Sequence, residues 1–356
     1  MNIIFDASVL NNSFTGVAKT LLYLYKSCKE IDDSFHAYGI YCTSNVEFEE
    51  YGITLININE IRGNSLKKKI ENFILEKDIK IFHYPNNYGI RYNFKNVKNV
   101  LTLHDVIPLE NKNAIRNPLK KIYYLMNLYS SIKMSDCIFT VSKYSRNAIT
   151  KRFNCKDKIN VIHWGATLPD NYKESELIAD RYYLYVGGFD KRKGIDILVK
   201  TYMKMVKEKQ TDSKLVLLGK KASLGKETDD LILEGINQGN IIVTGYVTDE
   251  EVCCYLKHAI CLLYLSYYEG FGLPIIEGFK NDCPVITTKG TCLPEIAGDA
   301  VLYVDREDES TIISAMKEME FDNNSRNEII MKGKKRLAVY DWEKTASNFL
   351  KIINKL

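Results

Sequence analysis

Short apolar runs alternate with segments of helical periodicity along the first half of the chain. Near-continuous apolar runs are typical of parallel strands that are buried on both faces. The longer segments predict helices over 16–30, 66–77 and 118–135, and a fourth helix that begins after the N-cap residue Ser142. The predicted strands are NIIFD from Asn2, HAYGIYC from His36, ITLINI from Ile53, IKIFHY from Ile79, NVLTLHD from Asn99 and CIFTVS from Cys137.

The same alternation continues in the second half of the chain. A helix after Asp196 has an apolar stripe of period 3.6, and Thr248 with Glu251 forms a capping-box pattern at the start of the next helix. Alternating strands and helices predict right-handed βαβ units and doubly wound sheets. The predicted strands are YYLYVGG from Tyr182, KLVLLG from Lys214, NIIVTG from Asn240, ICLLYL from Ile260, PVITT from Pro284 and AVLYV from Ala300.

A polar segment near 165–180, with Gly165 and Pro169, separates the two halves. Because 356 residues are many for a single core, two domains are expected. The predicted fold class is α/β, with two doubly wound Rossmann-like domains over 1–170 and 171–340. Ligands of open α/β sheets bind at the carboxyl ends of the strands, so we expect the domains to face a central cleft.

Composition and charge narrow the class of protein. The 49 Lys and Arg residues against 45 Asp and Glu give a net charge of +4, which does not predict a nucleic-acid partner. The nine cysteines are scattered without a C-x-x-C pair, so neither a zinc site nor a disulfide framework is expected. The first residues lack a signal-peptide pattern, and no apolar run is long enough to span a bilayer. These features favour a cytoplasmic protein.

The segment YEGFGLPIIEGF, which begins at Tyr268, carries the most informative chemistry. It follows a predicted buried strand and opens a helix, where Gly272 permits backbone torsions that other residues avoid. The free amides and the dipole of that helix start suit a diphosphate. Glu277 lies about one turn into the helix, and Glu269 lies in the loop. The alternative is a tight strand-to-helix turn in which Glu277 only favours the dipole.

A second strand ends in Gly187 and Gly188 and is followed by the basic residues Lys191, Arg192 and Lys193. Two fixed cations suit a leaving nucleotide diphosphate, because negative charge grows there as a glycosidic bond breaks. The alternative is a solvated basic turn.

Two features of the first half complete the candidate site. His104, followed by Asp105, lies at the carboxyl end of a predicted strand, where it would face the cleft or form a structural His–Asp pair. The loop SFTGVA, which begins at Ser13, opens the first predicted helix at Gly16.

The chain resembles the retaining glycosyltransferases of family 4, which have the GT-B fold. The resemblance rests on the Glu269-x7-Glu277 pair and on the downstream segments DCPVITT from Asp282, Leu293-Pro-Glu295 and GDA from Gly298. It implies that Glu277 holds the nucleotide ribose hydroxyls and that Glu269 contacts the donor sugar. The backbone amides implied to bind sugar and phosphate oxygens are those of Phe271, Gly272 and Leu273.

The same resemblance assigns roles to the other motifs. Arg192 and Lys193 are implied to clamp the diphosphate, while Gly188, a donor-side residue here, replaces an Arg found in many members. His104 is implied to contact the donor sugar, and Gly16 to lie beside the donor phosphates. The first domain is implied to bind the acceptor and the second the donor, with a terminal helix over 341–356 that crosses back to the first domain.

The implied function is transfer of a hexose from a nucleotide-diphosphate sugar to a glycan or lipid-linked glycan, as in bacterial surface polysaccharide synthesis. No cofactor is expected, and the absence of Asp-x-Asp favours a metal-independent reaction. G-x-G-x-x-G and Walker A patterns are also absent. Two alternatives stay open, a non-catalytic protein that binds nucleotide sugars and a nucleotide-sugar epimerase.

Two basic helical segments bear on the membrane. The segment from Pro118 to Met126 mixes lysines with apolar residues, and Lys67, Lys68 and Lys69 open another predicted helix. Such helices can rest on anionic headgroups at the inner membrane surface, which would make the protein peripheral there. The alternative is a helix packed on its own sheet with a solvated lysine face.

Overall fold

A computed structural model describes residues 1–12, 15–43, 48–111, 114–174, 177–178 and 180–356. The chain forms two units. The first contains Met1–Gly165 together with Tyr340–Leu356, and the second contains Ala166–Val339.

The first unit is built on a seven-stranded sheet in the order β3-β2-β1-β4-β5-β6-β7, and every neighbouring pair is parallel. Strands β1, β4, β5 and β6 are apolar in sequence because both of their faces are covered, and side chains such as Ile4, Phe82, Leu101 and Ile138 form the core. The strands are β1 Asn2–Asp6, β2 His36–Ile40, β3 Ile53–Leu55, β4 Ile81–Tyr84, β5 Lys98–Thr102, β6 Cys137–Thr140 and β7 Ile159–Val161.

Helix starts in this unit are fixed by short polar side chains. The Asn117 carboxamide oxygen accepts the N–H of Leu119 at 2.9 Å, and Ser142 accepts the N–H of Ser145 at 3.0 Å, as predicted for an N-cap at Ser142. The helices are α1 Gly16–Ile31, α2 Leu66–Glu76, α3 Ile107–Glu110, α4 Pro118–Met134 and α5 Lys143–Thr150. The 3-10 segments are Ala7–Asn12, Glu49–Tyr51, Ile58–Glu60 and Lys156–Lys158.

The second unit is built on a six-stranded parallel sheet in the order β10-β9-β8-β11-β12-β13. Its core includes Tyr183, Leu215, Leu263 and Ile286. The strands are β8 Tyr182–Val186, β9 Lys214–Leu218, β10 Ile241–Gly245, β11 Leu262–Tyr264, β12 Val285–Thr288 and β13 Leu302–Val304.

The helices of the second unit follow the predicted pattern. Thr248 and Glu251 form the expected reciprocal capping box at the start of one of them. The helices are α6 Ile195–Lys207, α7 Lys226–Asn237, α8 Asp249–His258, α9 Leu273–Lys280, α10 Leu293–Ala297, α11 Glu309–Phe321 and α12 Asn323–Leu337, and a 3-10 turn covers Lys191–Lys193.

The last helix, α13 (Trp342–Ile353), belongs to the first unit, where it packs along α1. Its Trp342 ring lies between the rings of Tyr23 and Trp164, each centroid 5.7 Å away. The Thr345 hydroxyl donates to the carbonyl of His163 at 2.6 Å.

The predicted fold class is confirmed, since each unit is a parallel sheet with connecting helices in the doubly wound order. Two details differ. Strand β7 was not predicted, because its three residues are too few to show a periodicity. The strand predicted from His36 ends at Ile40 because Tyr41 adopts a φ of 69°, which leaves the extended region.

Candidate functional site

The predicted donor-site residues of the second unit lie at the point where its sheet changes direction. Strands β8 and β11 are neighbours at this point although two strands separate them in sequence. The loops that follow these strands, 187–194 and 265–272, therefore leave the sheet side by side. The N–H of Tyr267 donates to the carbonyl of Arg192 at 2.9 Å and joins the two loops. Ligands of doubly wound sheets bind at such switch points.

Glu269 lies among hydrogen-bond donors, with only 13% of its side chain exposed. Its Oε1 accepts from the Ser266 hydroxyl at 2.8 Å and lies 3.1 Å from Nη1 of Arg192. The Tyr264 hydroxyl also contacts Glu269, and the Tyr185 hydroxyl lies nearby, where it donates to the carbonyl of Gly188 at 2.9 Å. Burial raises the pKa of both tyrosines, and the negative charge of Glu269 raises it further. The carboxylate is thus held in one place by Tyr264 of β11, Ser266 of the loop that follows it and Arg192 of the turn between β8 and α6.

Arg192 and Lys193 differ in their surroundings. The Arg192 guanidinium pairs with Glu269 and, at 3.6 Å, with Asp190, and it donates to the carbonyl of Tyr268. Lys193 forms no ion pair with any described residue, and its Nζ lies 2.9 Å from where a Cβ on Gly187 would be. Lys191 also forms no ion pair with any described residue, but its Nζ lies near Gly225, 3.4 Å from where a Cβ there would be. Lys193 is therefore the uncompensated cation of this turn that lies beside Gly187, at the end of β8.

The start of α9 offers backbone donors. Gly272 has a φ of 103° and precedes the helix, and within the described part of the chain its N–H and that of Leu273 have no acceptor. Phe271 is buried, and its carbonyl accepts from the Cys292 thiol at 3.2 Å. These amides and the positive end of the helix dipole suit phosphate or hydroxyl oxygens.

Glu277 lies one turn into α9 and is 9% exposed. Its Oε1 accepts from the hydroxyl of Thr167 at 2.7 Å, a residue from the first segment of the second unit. A buried carboxylate needs such donors because desolvation is costly. The carboxylate is thereby oriented before any ligand arrives.

The glycines of the 187–194 loop have different surroundings. Gly188 is exposed, and a Cβ there would have no neighbour within 4 Å. Gly194 has a φ of 76°, and a Cβ there would lie 2.2 Å from the carbonyl oxygen of Leu265. Gly188 therefore has room for a larger side chain, such as the Arg found here in many members of the resembled family. At Gly194, by contrast, the backbone conformation and the nearby Leu265 carbonyl require glycine.

His104 is half-buried at the carboxyl end of β5 in the first unit. Its Nε2 lies 3.1 Å from the carbonyl oxygen of Pro85, and because a carbonyl can only accept, Nε2 carries the proton. Burial lowers the pKa of His104. Burial therefore favours the neutral imidazole, in which Nδ1 can accept a hydrogen bond. The backbone N–H of His104 also donates to the side-chain oxygen Oδ1 of Asn87 at 2.8 Å.

Gly16 is the first residue of α1, and the side chain of Thr15 caps that helix by accepting the N–H of Ala18. Ser13 and Phe14, which belong to the same predicted loop, lie outside the described residues. Gly16 and His104 follow β1 and β5, which are separated by β4 in the sheet.

A cluster that the sequence did not reveal lies at the switch point between β1 and β4, and we call it the tyrosine cluster. Burial raises the pKa of Tyr41 to about 12, with Tyr92 and Asp6 raising it further and Arg91 opposing them. Tyr84 has the same charged neighbours, and its buried hydroxyl has no partner among the described atoms. In the sequence, the only indication of this cluster was that Asp6, Tyr41 and Tyr84 lie at or just after the ends of strands.

Two features are absent from the described part of the chain. No three His, Cys, Asp or Glu side chains are grouped as metal ligands would be. None of the helices found there has the length and apolar content needed to cross a bilayer.

Comparison with known proteins places the chain among sugar transferases. A family model described as "Glycosyl transferases group 1" matches residues 170–336, and one described as "Glycosyltransferase Family 4" matches residues 44–168. The O-antigen chain mannosyltransferase B of Escherichia coli is 30% identical over 278 residues, which cover 74% of this chain and 71% of that one.

Two more proteins are similar over most of their length. The O-antigen chain mannosyltransferase RfbU of Salmonella typhimurium is 25% identical and covers 89% of this chain and 90% of its own. The solved structure of Anabaena Alr3699/HepE in complex with UDP and glucose has a TM-score of 0.73 with 14% identity, and the match covers 100% of both chains.

Proposed function

The chain belongs to the glycosyltransferases of the GT-B fold, and from this premise we propose that it is a retaining, family 4 enzyme. In this proposal it moves a hexose from a nucleotide-diphosphate sugar to a glycan or lipid-linked glycan during synthesis of a surface polysaccharide. The relatives named above transfer mannose to O-antigen chains, so mannose is the first donor sugar to test.

The observation that carries the proposal is the arrangement around Lys193. Three groups lie on loops or a helix that start at one switch point. They are the Lys193 ammonium, the N–H groups of Gly272 and Leu273, none of which has a partner among the described residues, and the carboxylate of Glu277. A nucleotide-diphosphate sugar presents the matching groups, two ribose hydroxyls and a dianionic diphosphate. Glu277 would accept from the ribose hydroxyls, and the ammonium and the amides would bind the phosphates.

The reacting end of the donor would lie beside Glu269. As the bond between the sugar and the diphosphate breaks, the sugar becomes cation-like and the diphosphate gains negative charge. The carboxylate of Glu269, fixed by Arg192 and Ser266, stabilises the cationic sugar, and Lys193 stabilises the leaving diphosphate. Neutral His104, with Nδ1 as acceptor, suits a sugar hydroxyl.

We propose that the reaction needs no metal, because the ammonium and the helix amides neutralise the diphosphate. With excess EDTA the rate should be unchanged. Full loss of activity that manganese restores would contradict this part of the proposal.

The acceptor would bind at the tyrosine cluster, which lies at the carboxyl ends of β1, β2 and β4. Tyrosine rings and hydroxyls suit the faces and hydroxyls of sugars. An acceptor on a lipid carrier would bring the enzyme to the cytoplasmic face of the membrane as a peripheral protein.

The test combines binding and product analysis. GDP, UDP and their hexose conjugates are screened by thermal shift, since a ligand of the folded state raises the midpoint. Glu277→Ala should abolish the shift produced by the free nucleoside diphosphate. The anomeric configuration of the product, read by NMR, decides between retention and inversion. Conversion of the donor into another nucleotide sugar without an acceptor would identify an epimerase, and binding without any turnover would identify a non-catalytic protein.

A further inference from the structure

The second unit has a pocket at the carboxyl ends of β12 and β13, and we call it the β12–β13 pocket. Its volume is about 460 Å³, within the range of about 300–1,000 Å³ that is usual for small-molecule sites. Glu269, Glu277 and Lys193 do not line it, so it is separate from the proposed donor site. The side chains that give the pocket its chemistry are Tyr267, Lys289, Tyr303, Asp305, Arg306 and Glu307.

Two tyrosine rings form part of the pocket wall. The Tyr267 hydroxyl donates to the Glu307 carboxylate, and the Arg306 guanidinium lies over the Tyr267 ring. The Tyr303 hydroxyl donates to a backbone carbonyl at 2.6 Å, and the Lys289 Nζ lies 5.8 Å from the centroid of the Tyr303 ring. Both rings are thus held in one orientation before a ligand arrives. Fixed rings provide apolar contact area with little loss of conformational entropy on binding.

The charged side chains around the opening of the pocket do not pair with one another. Lys289, Asp305 and Glu307 are exposed, and the Lys289 ammonium forms no ion pair with either carboxylate. Oδ1 of Asp305 accepts the N–H of Glu307 at 2.9 Å, and Oε1 of Glu307 accepts the Tyr267 hydroxyl. Among the described residues, the other oxygen of each carboxylate has no partner. The pocket therefore presents free donors and free acceptors together.

This lining suits a neutral ligand better than an anion or a cation. Lys289 and Arg306 contribute positive charge, and Asp305 and Glu307 contribute negative charge, so a charged ligand would meet a like charge. A sugar ring is neutral, its hydroxyls both donate and accept, and its C–H face packs on aromatic rings. We propose that the β12–β13 pocket is a second saccharide site, which binds a neutral sugar unit of a glycan. The inference rests on the proposed function only for the source of the sugar, the glycan that the enzyme would extend.

One loop joins the pocket to the proposed donor site. The side chain of Tyr267 lines the pocket, while its backbone N–H donates to the carbonyl of Arg192 at 2.9 Å. Thr288 also lines the pocket, and its hydroxyl donates at 2.7 Å to the carbonyl of Ser266, whose own hydroxyl holds Glu269. A glycan with one unit in the pocket would therefore stay close to the donor site, which raises its effective concentration there.

Lys226 and Asp230 of α7 provide a matched control for variants of the pocket. They form an exposed ion pair at 2.7 Å and do not line the pocket. Lys226→Ala/Asp230→Ala and Lys289→Ala/Glu307→Ala each remove one positive and one negative charge. The pocket variant leaves Arg306 in place, which is 6% exposed and holds the loops after β8 and β11.

The experiment follows hydrogen exchange of the full chain by mass spectrometry while mannobiose or maltose is added. GDP and UDP are present to occupy the proposed donor site. At least one of the two disaccharides should slow amide exchange over 288–290 and 303–307 in wild type and in the α7 variant. In the pocket variant, half-maximal protection should need at least about tenfold more disaccharide, because hydrogen bonds to charged groups are the stronger ones.

Three results would overturn the proposal. They are no protection of these segments in wild type, equal protection of the pocket variant and wild type, and stronger protection by mannose 6-phosphate than by the neutral sugars, which would indicate an anion site. Thermal shift with GDP and UDP tests the proposed donor site separately. Disaccharide protection that the pocket variant loses, without any nucleotide shift in wild type, would contradict the proposed function and support the saccharide site.

Discussion

At the scale of single residues, the adjacent residues Arg192 and Lys193 of the 191–193 turn have different surroundings. Arg192 is compensated by Glu269 and Asp190, so its main effect is to fix the Glu269 carboxylate. Lys193 has no such partner among the described residues, so its ammonium can pair with an anionic ligand. Adjacent basic residues in a sequence are therefore not equivalent once the turn has formed.

We predict that Lys193→Ala lowers kcat by ~10²–10³, because a fixed cation stabilises the charge that develops on the leaving diphosphate more than it stabilises the ground state. Lys193→Arg should recover part of the rate. The control is Lys191→Ala on the same turn, which should stay near wild type. Steady-state kinetics with a mannose donor measures all three, and a change confined to KM would mean that Lys193 only anchors the donor.

A second residue-scale prediction concerns His83, which is fully buried between the hydroxyls of Tyr25 and Thr102, at 2.7 and 2.8 Å. Burial lowers the pKa of His83 to about 3. The unfolded chain takes up a proton near pH 6.5 and the folded chain does not, so stability falls as pH falls from 6.5 towards 3. Between pH 7 and pH 5 this group should cost about 2 kcal/mol of unfolding free energy.

The measurement is urea unfolding of wild type and His83→Gln at both pH values. The variant should lose about 2 kcal/mol less than wild type over this interval, because other groups cancel in the difference. Identical pH dependence of the two proteins would show that His83 does not titrate on unfolding.

The sequence predicted the charged residues of the candidate site but not the residues that hold them. Glu269, Glu277 and Lys193 stand in motifs whose spacing follows from a strand, a turn and a helix start. Thr167 and Ser266 donate to the two carboxylates, and nothing in their sequence context distinguishes them from other hydroxyl residues. The bond from Thr167 to Glu277 spans 110 positions of sequence, so only the fold could reveal it.

At the scale of elements, the 187–194 loop owes its shape to one buried side chain. Arg306 donates to the carbonyl of Leu265 at 3.0 Å and to that of Lys191 at 3.2 Å, and it pairs with Asp196 at 3.4 Å. It thereby ties the loop after β8 to the loop after β11. The positions of Arg192 and Lys193 are thus set from β13, far away in sequence.

The glycines of this loop provide a matched pair of variants. Gly194→Ala should cost about 2–3 kcal/mol, because the new Cβ would collide with the Leu265 carbonyl and the residue would keep a positive φ. Gly188→Ala should change stability by less than about 0.5 kcal/mol, since its Cβ meets open space. Urea unfolding of both variants decides, and equal destabilisation would mean that the loop adjusts freely.

Long, periodic elements were predictable from the sequence, and short or irregular ones were not. The apolar stripe after Asp196 and the capping box at Thr248 predict α6 and α8 because local pattern alone determines them. Strand β7 depends on pairing with β6, which only the folded sheet supplies. The sequence shows that α4 is rich in apolar residues. Only the packed structure shows which of its sides is buried and which is exposed.

At the scale of the whole molecule, one unit is a single continuous segment and the other is made of two segments. The second unit is one continuous segment, Ala166–Val339, and it carries Glu269, Glu277 and Lys193. The first unit is closed by α13, the last helix of the chain. Phe349 of this helix is fully buried, with its ring centroid 5.0 Å from that of Phe139 on β6. The stability of the first unit therefore depends on the packing of α13.

We predict that Phe349→Ala lowers the unfolding free energy of the first unit by about 3–5 kcal/mol, the usual effect of removing a buried aromatic ring. Asn348→Ala, exposed on the same helix, should have little effect. The second unit should keep its own transition, and GDP or UDP should still raise the midpoint of that transition, because Glu277 and Lys193 do not depend on α13. Differential scanning calorimetry with and without nucleotide separates the two transitions. If Phe349→Ala lowers both transitions equally, the two units unfold as one cooperative body and the division of stability between them is wrong.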